Sequence, residues 1–417
     1  MVDGMIYWAQ LLHMYQPPTQ TYEVLKRVTE ESYRPVLRVL HEHPNARIAI
    51  NINAVLSQLL AEHGFEDVLE SLRELSERGQ VELTGSGAFH PILPLIPQSA
   101  RVRSITDNEA MNRRYLGESF RPTGFFPPEM CISDAALADI RATNHEWVIA
   151  GGVASPDGWP TVDVCRVDDG TPGGEELGIL FRDDVRSNRI SFAETTPAEF
   201  LDSLAASGVP GSYVVTAMDM ETFGHHVKGW EDRFLVDIYA RIEEESQGPS
   251  PRVQMLTPGE VVELMPVGKT VKPRPSSWST SNDDLTKNDP YPLWKSPGNR
   301  IHEQQWQYVD HAIELVELAN ASACTEESEK EAKFALERLQ PALHSCQFWW
   351  ASHRPWWSVL IVHRGLLLLQ EALLHAARSI ELSCADDSQK EVVRWRIAAA
   401  NDSREEIERL LLMEPET

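Results

Sequence analysis

Hydrophobic and polar positions follow two different patterns along the chain, and the change falls near residue 270. In the first part, short apolar runs alternate with amphipathic stretches; residues 47–52, for example, place isoleucine at every second position, which is the period of a strand. The predicted strands are residues 6–12, 47–52, 80–83, 124–126, 147–150, 178–181, 213–218 and 253–256. The predicted helices are about residues 22–40, 53–62, 67–78, 133–143, 196–206 and 232–245.

Strands separated by helices predict parallel βαβ units, because parallel neighbours need a long crossover. Seven or eight such units close a barrel, and function then lies at the carboxyl ends of the strands. An open doubly wound sheet is the alternative, but no Gly-x-Gly-x-x-Gly follows the first strand. The pattern therefore favours an α/β barrel over residues 1–270.

The pattern changes after residue 270. Residues 271–300 are rich in Pro, Ser, Asn, Asp and Trp and have no period, which predicts a long ordered loop that completes a functional cleft. Residues 301–417 have a helical period, with candidate helices at 302–321, 325–346, 355–380 and 388–413. Short connections between long helices predict a helical bundle as the last domain.

Charge narrows the classes of partner. The chain has 63 acidic and 38 basic residues and a formal net charge of −25. Such a surface repels phosphate backbones and anionic lipid, so we expect neither a nucleic-acid nor a membrane partner. A neutral substrate such as a sugar is compatible with it.

Targeting and cysteine patterns favour a cytoplasmic protein. The start of the sequence has no basic segment followed by an apolar one, so a signal peptide is not predicted. The most apolar window, 359–374, contains His363, Arg364, Gln370 and Glu371, which argues against a membrane span. Five cysteines without a Cys-x-x-Cys spacing argue against a disulfide framework and a zinc ribbon, and favour a reducing compartment.

Three clusters with candidate chemistry each follow a predicted strand. Residues 12–18 contain His13 and Gln16, residues 84–97 present His90 between glycines and prolines, and residues 124–130 place Glu129 after an apolar strand. A carboxylate in such apolar surroundings must be paired with another group, protonated or used in catalysis, because an unpaired buried charge is costly. The alternatives are a turn closed by prolines, a hydrogen-bonded structural histidine and an exposed acid at a helix start.

A fourth cluster ends the strand at 213–218. Asp219 and Glu221 stand at alternate positions and are followed by His225 and His226. The two acids point the same way if the strand continues and diverge if it has turned. An Asp with two histidines also fits a divalent metal site, although adjacent histidines in one loop rarely both reach one ion.

Tryptophan is concentrated in the later part of the chain. Seven of the twelve fall between residues 278 and 357, among them Trp278, Trp294, Trp349 and Trp350. The flat face and single N–H of an indole suit the apolar face of a sugar ring. Core packing is the alternative and accounts for about half of them, because tryptophan is usually well buried.

Taken together, the clusters resemble glycoside hydrolase family 57, the retaining α-glucan-active enzymes that include α-amylases, 4-α-glucanotransferases and branching enzymes. Residues 12–17, 87–95, 124–129, 217–226 and 277–279 are similar to the family's five regions, in order. The resemblance implies an incomplete (β/α)7 barrel followed by a helical domain. It departs from the family at Tyr15, which replaces a histidine, and near Gln347, where an aspartate is often found.

The resemblance also implies roles for residues. Glu129 would be the nucleophile that forms a covalent glycosyl-enzyme, and Asp219 the general acid/base, with their carboxyl groups roughly 5–6 Å apart. No cofactor and no metal are expected. The expected substrate-binding residues are His13, Gln16, His90, Glu221, His225, Trp278, Trp294, Trp349 and Trp350.

Two other classes remain open from the residues alone. One is a metal-dependent sugar deacetylase that would use Asp219, His225 and His226 as ligands. The other is a non-catalytic α-glucan-binding protein that keeps the tryptophans. A pure binder has no need of both carboxylates, which favours the enzyme.

Overall fold

The computed structural model describes residues 5–157, 162–172, 176–206, 209–354 and 356–413. The chain divides into two compact units, Met1–Trp278 and Ser279–Thr417. The boundary therefore falls inside the loop predicted at 271–300. The predicted division into 1–270, 271–300 and 301–417 stays a prediction.

The first unit alternates strands and helices. Its strands are β1 (Ile6–Met14), β2 (Ile48–Ile52), β3 (Val81–Thr84), β4 (Gly124–Phe125), β5 (Trp147–Ala150), β6 (Val164–Val167), β7 (Gly178–Phe181), β8 (Tyr213–Asp219), β9 (Val253–Met255) and β10 (Val267–Val271). Its helices are α1 (Tyr22–Val28), α2 (Arg34–Glu42), α3 (Ala54–Glu62), α4 (Glu66–Glu77), α5 (Gln98–Leu116), α6 (Asp134–Ala142), α7 (Asp184–Ser191), α8 (Pro197–Ala205), α9 (Asp237–Ser246) and α10 (Pro258–Leu264).

All eight predicted strands and the predicted helices are confirmed, but the pattern missed several elements. β6, β10, α5 and α7 were not predicted. The reason is clearest in α5, whose buried face is largely polar and includes Arg101, Ser104, Asn108 and Asn112. An apolar period cannot mark a helix that buries hydrogen-bonded polar groups.

The strands form two five-stranded sheets. The first has the order β3-β2-β1-β8, with β9 also paired to β1, and its pairings are parallel. The second has the order β10-β6-β7-β5-β4, in which β6 and β7 are antiparallel. Main-chain bonds join the sheets at two edges: Gly85 N donates to Gly124 O over 2.8 Å, and Asp183 N donates to Val215 O over 2.7 Å.

β1 shows how the core fixes the direction of its side chains. The whole strand is buried, as in a parallel strand covered on both faces. Tyr7, Ala9 and Leu11 belong to one apolar cluster, whereas Trp8 and Leu12 belong to another. Because side chains alternate along a strand, His13 shares the face of Tyr7, Ala9 and Leu11.

The second unit is helical, as predicted. Its elements are α11 (Asn282–Thr286), α12 (Arg300–Ser322), α13 (Glu326–Ala342), α14 (Cys346–Trp349), α15 (Val359–Leu382) and α16 (Asp387–Met413). α13 packs on α15, and α12 packs on α13, α15 and α16. The helix predicted at 325–346 ends at Ala342, one residue after Pro341, whose missing N–H removes a hydrogen bond from the last turn of the helix.

α15 has the length and apolar composition that a membrane crossing requires. Its mean hydropathy is 1.4, and 39% of the most apolar window is buried inside the protein. Core helices of globular proteins pass the same test, so this composition is weak evidence for a membrane span. The expectation that no segment spans a membrane stays a prediction.

The prediction against disulfides was wrong for one pair of cysteines. Cys324, just before α13, is joined to Cys384, just after α15, while Cys131, Cys165 and Cys346 take no part in a disulfide. Sixty residues separate the paired cysteines, so only the packing of α13 on α15 brings them together. Disulfides persist in oxidising compartments, so this bond gives the predicted reducing cytoplasm no support.

Removing the disulfide should destabilise the helical unit. Closing a loop of this length restricts the unfolded chain, so Cys324→Ser with Cys384→Ser should lower the free energy of unfolding by about 2 to 4 kcal/mol. Chemical denaturation checks this, with Cys346→Ser as the matched control. Without reductant the unfolded wild type should show only three reactive thiols; five would contradict the bond.

Candidate active site

The carboxyl ends of β1, β2 and β8 bring three polar side chains side by side. In the strand register His13 is paired with Asn51 of β2 on one side and with Asp219 of β8 on the other. All three follow apolar positions in buried strands. His13 and Asp219 were predicted from the sequence, whereas Asn51 was not; the sign of it was an amide side chain within an isoleucine-rich strand.

A chain of hydrogen bonds orients the His13 ring. Asn51 Nδ2 donates to Thr84 Oγ1 over 3.0 Å, which turns Asn51 Oδ1 toward His13 Nδ1 at 2.8 Å. Nδ1 therefore carries the proton, and Nε2 is left as an acceptor. Burial lowers the pKa of His13, against the opposing charge of Asp219, so the ring is held neutral. A neutral imidazole can accept a hydrogen bond from a hydroxyl group.

Glu129 is presented by strained backbone and bound by Trp278. Its φ of 58° and the φ of 50° at Met130 lie in the left-handed region, which costs free energy for a residue with a side chain. Trp278 Nε1 donates to Glu129 Oε2 over 2.9 Å, and Trp278 N donates to Glu129 O over 3.1 Å. The carboxylate is thereby fixed by its neighbour rather than left as an exposed helix-start acid.

His90 and the aromatic rings around it link Glu129 to His13. His90 Nδ1 lies 3.7 Å from Glu129 Oε1, and the His90 ring is stacked on His13 with centroids 5.0 Å apart. Phe126 covers His13 at 4.6 Å, while Tyr15 stacks on His90 at 3.9 Å. His90 also has a positive φ, of 59°. Glu129 and Asp219 thus both lie close to this stack of rings.

Glu221 occupies a buried polar pocket beside Asp219. Tyr33 Oη donates to Glu221 Oε1 over 2.5 Å, and Gln16 Nε2 donates to the same oxygen over 3.0 Å. Burial, and then the charge of Asp219, raise the pKa of Glu221 to about 8. The amide of Gln16 also accepts from Gln20, so its hydrogen-bonding groups are used within the protein. Tyr33 was missed because it lies in a helical stretch without any sign of chemistry.

The other predicted residues make their described contacts with residues outside this group. His225 Nδ1 bonds to Glu31 Oε2 over 2.7 Å in the first unit. Trp294 is a core residue of the second unit, 1% exposed, and its carbonyl accepts from Trp306. Trp349 and Trp350 are half-buried in that unit and gather with the more exposed Trp356, with ring centroids 5.5 to 6.0 Å apart. Trp356 was missing from the predicted site.

The residues that the structure describes give the metal alternative no support. Among them, no group of three or more His, Cys, Asp or Glu side chains is arranged to hold a metal ion. His225, one of the ligands that a deacetylase would need, is instead paired with Glu31.

The first unit is a mixed α/β fold with carboxylates, imidazoles and indoles at the carboxyl ends of parallel strands. An α-amylase from Pyrococcus horikoshii is 27% identical over 249 residues, which is 57% of this chain and 37% of that protein. A 4-alpha-glucanotransferase from Thermococcus litoralis is 25% identical over 270 residues, 61% of this chain and 39% of that protein. The chain thus spans less than half the length of these relatives.

The fold is similar to that of a solved GH57-type branching enzyme from Pyrococcus horikoshii, with a TM-score of 0.70 at 14% identity over 94% of both chains. Residues 7–274 match the model of glycosyl hydrolase family 57. The match covers more than half of the chain, and this protein belongs to that family. The resemblance seen in the sequence is confirmed.

The protonation of His13 can be measured directly. At pH about 6.5, where an unperturbed imidazole is half protonated, ¹⁵N NMR should show His13 neutral and protonated on Nδ1. Asn51→Leu removes the acceptor at similar volume and should let the proton redistribute to Nε2. Asn282→Leu, at an exposed position of α11, should leave the His13 signals unchanged. A charged ring, or a proton on Nε2 in the wild type, would contradict the assignment.

Proposed function

We propose that this protein is a retaining glycoside hydrolase or transglycosylase that acts on α-glucan oligo- or polysaccharides. The observation that carries the proposal is that Asp219 neighbours His13 and Glu129 neighbours His90, two histidines whose rings are stacked. Asp219 is paired with His13 through the strand register, and Glu129 reaches His90 at 3.7 Å. Membership of family 57 and its amylase and glucanotransferase members support the substrate class.

Glu129 acts as the nucleophile. Its carboxylate attacks the anomeric carbon and forms a covalent glycosyl-enzyme. The Trp278 indole donates to one carboxylate oxygen and leaves the other directed toward His90, so the group is oriented before substrate arrives. Preorganised dipoles of this kind lower the barrier because they need no rearrangement during the reaction.

Asp219 acts as the general acid and then as the general base. Its proton passes to the glycosidic oxygen as the leaving sugar departs, and it later takes a proton from water or from an acceptor hydroxyl. Neutral His13 accepts a hydrogen bond from a sugar hydroxyl through Nε2. We expect the Asp219 and Glu129 carboxyl groups to lie about 5–6 Å apart, the separation that double displacement needs.

The fold we propose for the first unit is the incomplete seven-stranded barrel formed by β1, β2, β3, β4, β5, β7 and β8. The main-chain bonds from Gly85 to Gly124 and from Asp183 to Val215 support it, because they connect the two sheets at both edges. In such a barrel the carboxyl ends of the strands surround one cleft.

Variants of the two acids test the reaction. Glu129→Gln and Asp219→Asn should each lower kcat on maltooligosaccharides by at least about 100-fold, because a nucleophile and a proton donor are lost. Product analysis on chains of defined length separates hydrolysis from transfer, and NMR should show retained anomeric configuration.

The control for these variants is Glu118→Gln, whose side chain is exposed and paired only with the exposed Arg121 in the described contacts, and which should keep wild-type rates. Near wild-type rates in either acid variant would remove that residue from the mechanism. Binding of maltooligosaccharides by a wild type that makes no product would indicate an α-glucan-binding protein instead.

The tryptophan cluster of the second unit supports a role in glucan binding. The rings of Trp349, Trp350 and Trp356 lie with centroids 5.5 to 6.0 Å apart, and Trp356 is 47% exposed. Stacking on a sugar ring contributes an amount comparable to an aromatic pair, so Trp356→Ala should raise KM for long maltooligosaccharides about two- to tenfold and leave kcat unchanged. Trp395→Ala, another exposed tryptophan, is the control; equal effects in both would contradict a specific role.

A further inference from the structure

A π-helical turn between α1 and α2 contacts the segment that carries the proposed acid/base. The turn, Thr29–Tyr33, winds the chain by a smaller angle per residue than an α-helix, and such turns are frequent at functional sites. Three successive residues of it reach the segment after β8. Glu31 pairs with His225 and Lys228, Ser32 Oγ donates to Met220 O over 2.9 Å, and Tyr33 donates to Glu221.

Gly224 permits this close contact. Its φ is 96°, and a Cβ atom built there would lie 1.8 Å from the carbonyl oxygen of Glu31. No other residue type fits such an approach without moving the backbone. The turn and the segment 219–228 are therefore built against each other, and the position of Glu221 is set by the turn.

Asp219, which is half-buried, and Glu221, which is buried, are neighbouring acids whose charges interact. Burial of Glu221 and the charge of Asp219 raise the pKa of Glu221 to about 8, so one proton is retained at this pair at neutral pH. Both hydrogen bonds from Tyr33 and Gln16 are donated to Glu221 Oε1, and donation favours the charged form of the acceptor. These bonds oppose the effect of burial on Glu221.

We propose that Tyr33 is a positioning residue that shifts the shared proton from Glu221 toward Asp219, where the reaction uses it. This rests on the proposed function, in which Asp219 protonates the leaving oxygen. The protons balance over the two steps. Asp219 gives its proton to the glycosidic oxygen in the first step and takes one from the incoming water or hydroxyl in the second. Tyr33 keeps its own proton throughout and never contacts the sugar.

The other charged and titratable groups near the pair come from three elements. Neutral His13 lies on β1, His226 lies in the segment after β8, and the Glu31–His225–Lys228 set joins that segment to the turn. Burial lowers the pKa values of His13 and His226, so neither supplies a positive charge that would replace the Tyr33 hydroxyl.

Tyr33→Phe tests the proposal, with Tyr22→Phe on the exposed start of α1 as the control. Loss of a hydrogen bond to a charged group should lower kcat/KM on maltooligosaccharides about 10- to 100-fold. α-Glucosyl fluoride needs no proton on its leaving group, so its rate should change less than about twofold. Equal losses on both substrates would indicate a merely structural role and overturn the proposal, as would no loss on either.

The pH dependence of kcat/KM gives a second test, in which two variants should shift the profile in opposite directions. Tyr33→Phe destabilises the state with both acids ionised, so the descending limb of the kcat/KM profile should move to higher pH while its plateau falls. Glu221→Gln removes the neighbouring charge, so that limb should move to lower pH. Shifts in the same direction in both variants would overturn the proposal.

Carboxyl ¹³C NMR tests the effect of Tyr33 on Glu221 without a measurement of catalysis. The Glu221 carboxyl should titrate at higher pH in Tyr33→Phe than in the wild type, and Tyr22→Phe should leave it unchanged. If the wild type is inactive on both substrates, the proposed function is contradicted. The effect of Tyr33 on Glu221 is still tested in that case, because the titration does not depend on activity. An unchanged Glu221 titration in Tyr33→Phe would defeat the inference alone.

Discussion

β1 lies between β2 and β8, and its parallel hydrogen-bond ladder determines where the side chains of the site begin. The register places His13 beside Asn51 and beside Asp219 at once. A shift of one residue would send His13 into the helix-facing layer with Leu12 and Met14, because side chains alternate along a strand. The apolar side chains of β1 are divided between two clusters, one on each face, and their packing opposes that shift. Core packing therefore determines which side chains reach the site at the end of the strand.

Glu129 depends on a different kind of support. At the site, His90, Glu129 and Met130 all have positive φ values, and each such conformation costs free energy that the surroundings must offset. The two bonds from Trp278 and the stacking of Tyr15 and Phe126 on the histidines provide that support. Tyr15, a departure from the family pattern, therefore has a packing role here.

The π-helical turn shows how residues far from the strand ends enter the site. Tyr33 and Glu31 carry no motif, and the stretch 22–40 reads as an ordinary amphipathic helix. The turn nevertheless positions them against Glu221 and His225. Burial of Glu221 beside another acid has an energetic cost that such hydrogen bonds reduce, which is why these polar contacts are found at Glu221.

The sequence alone determined the predicted strands, most of the helices, the helical second part and the family, because these follow from local periodicity and from residues that are close in the chain. It did not determine the α5 helix, the Cys324–Cys384 bond, Asn51 or Tyr33. Each of these depends on a contact between residues distant in sequence, or on a buried polar group satisfied by such a contact. Only tertiary packing decides those contacts, because no local pattern records which segments will meet.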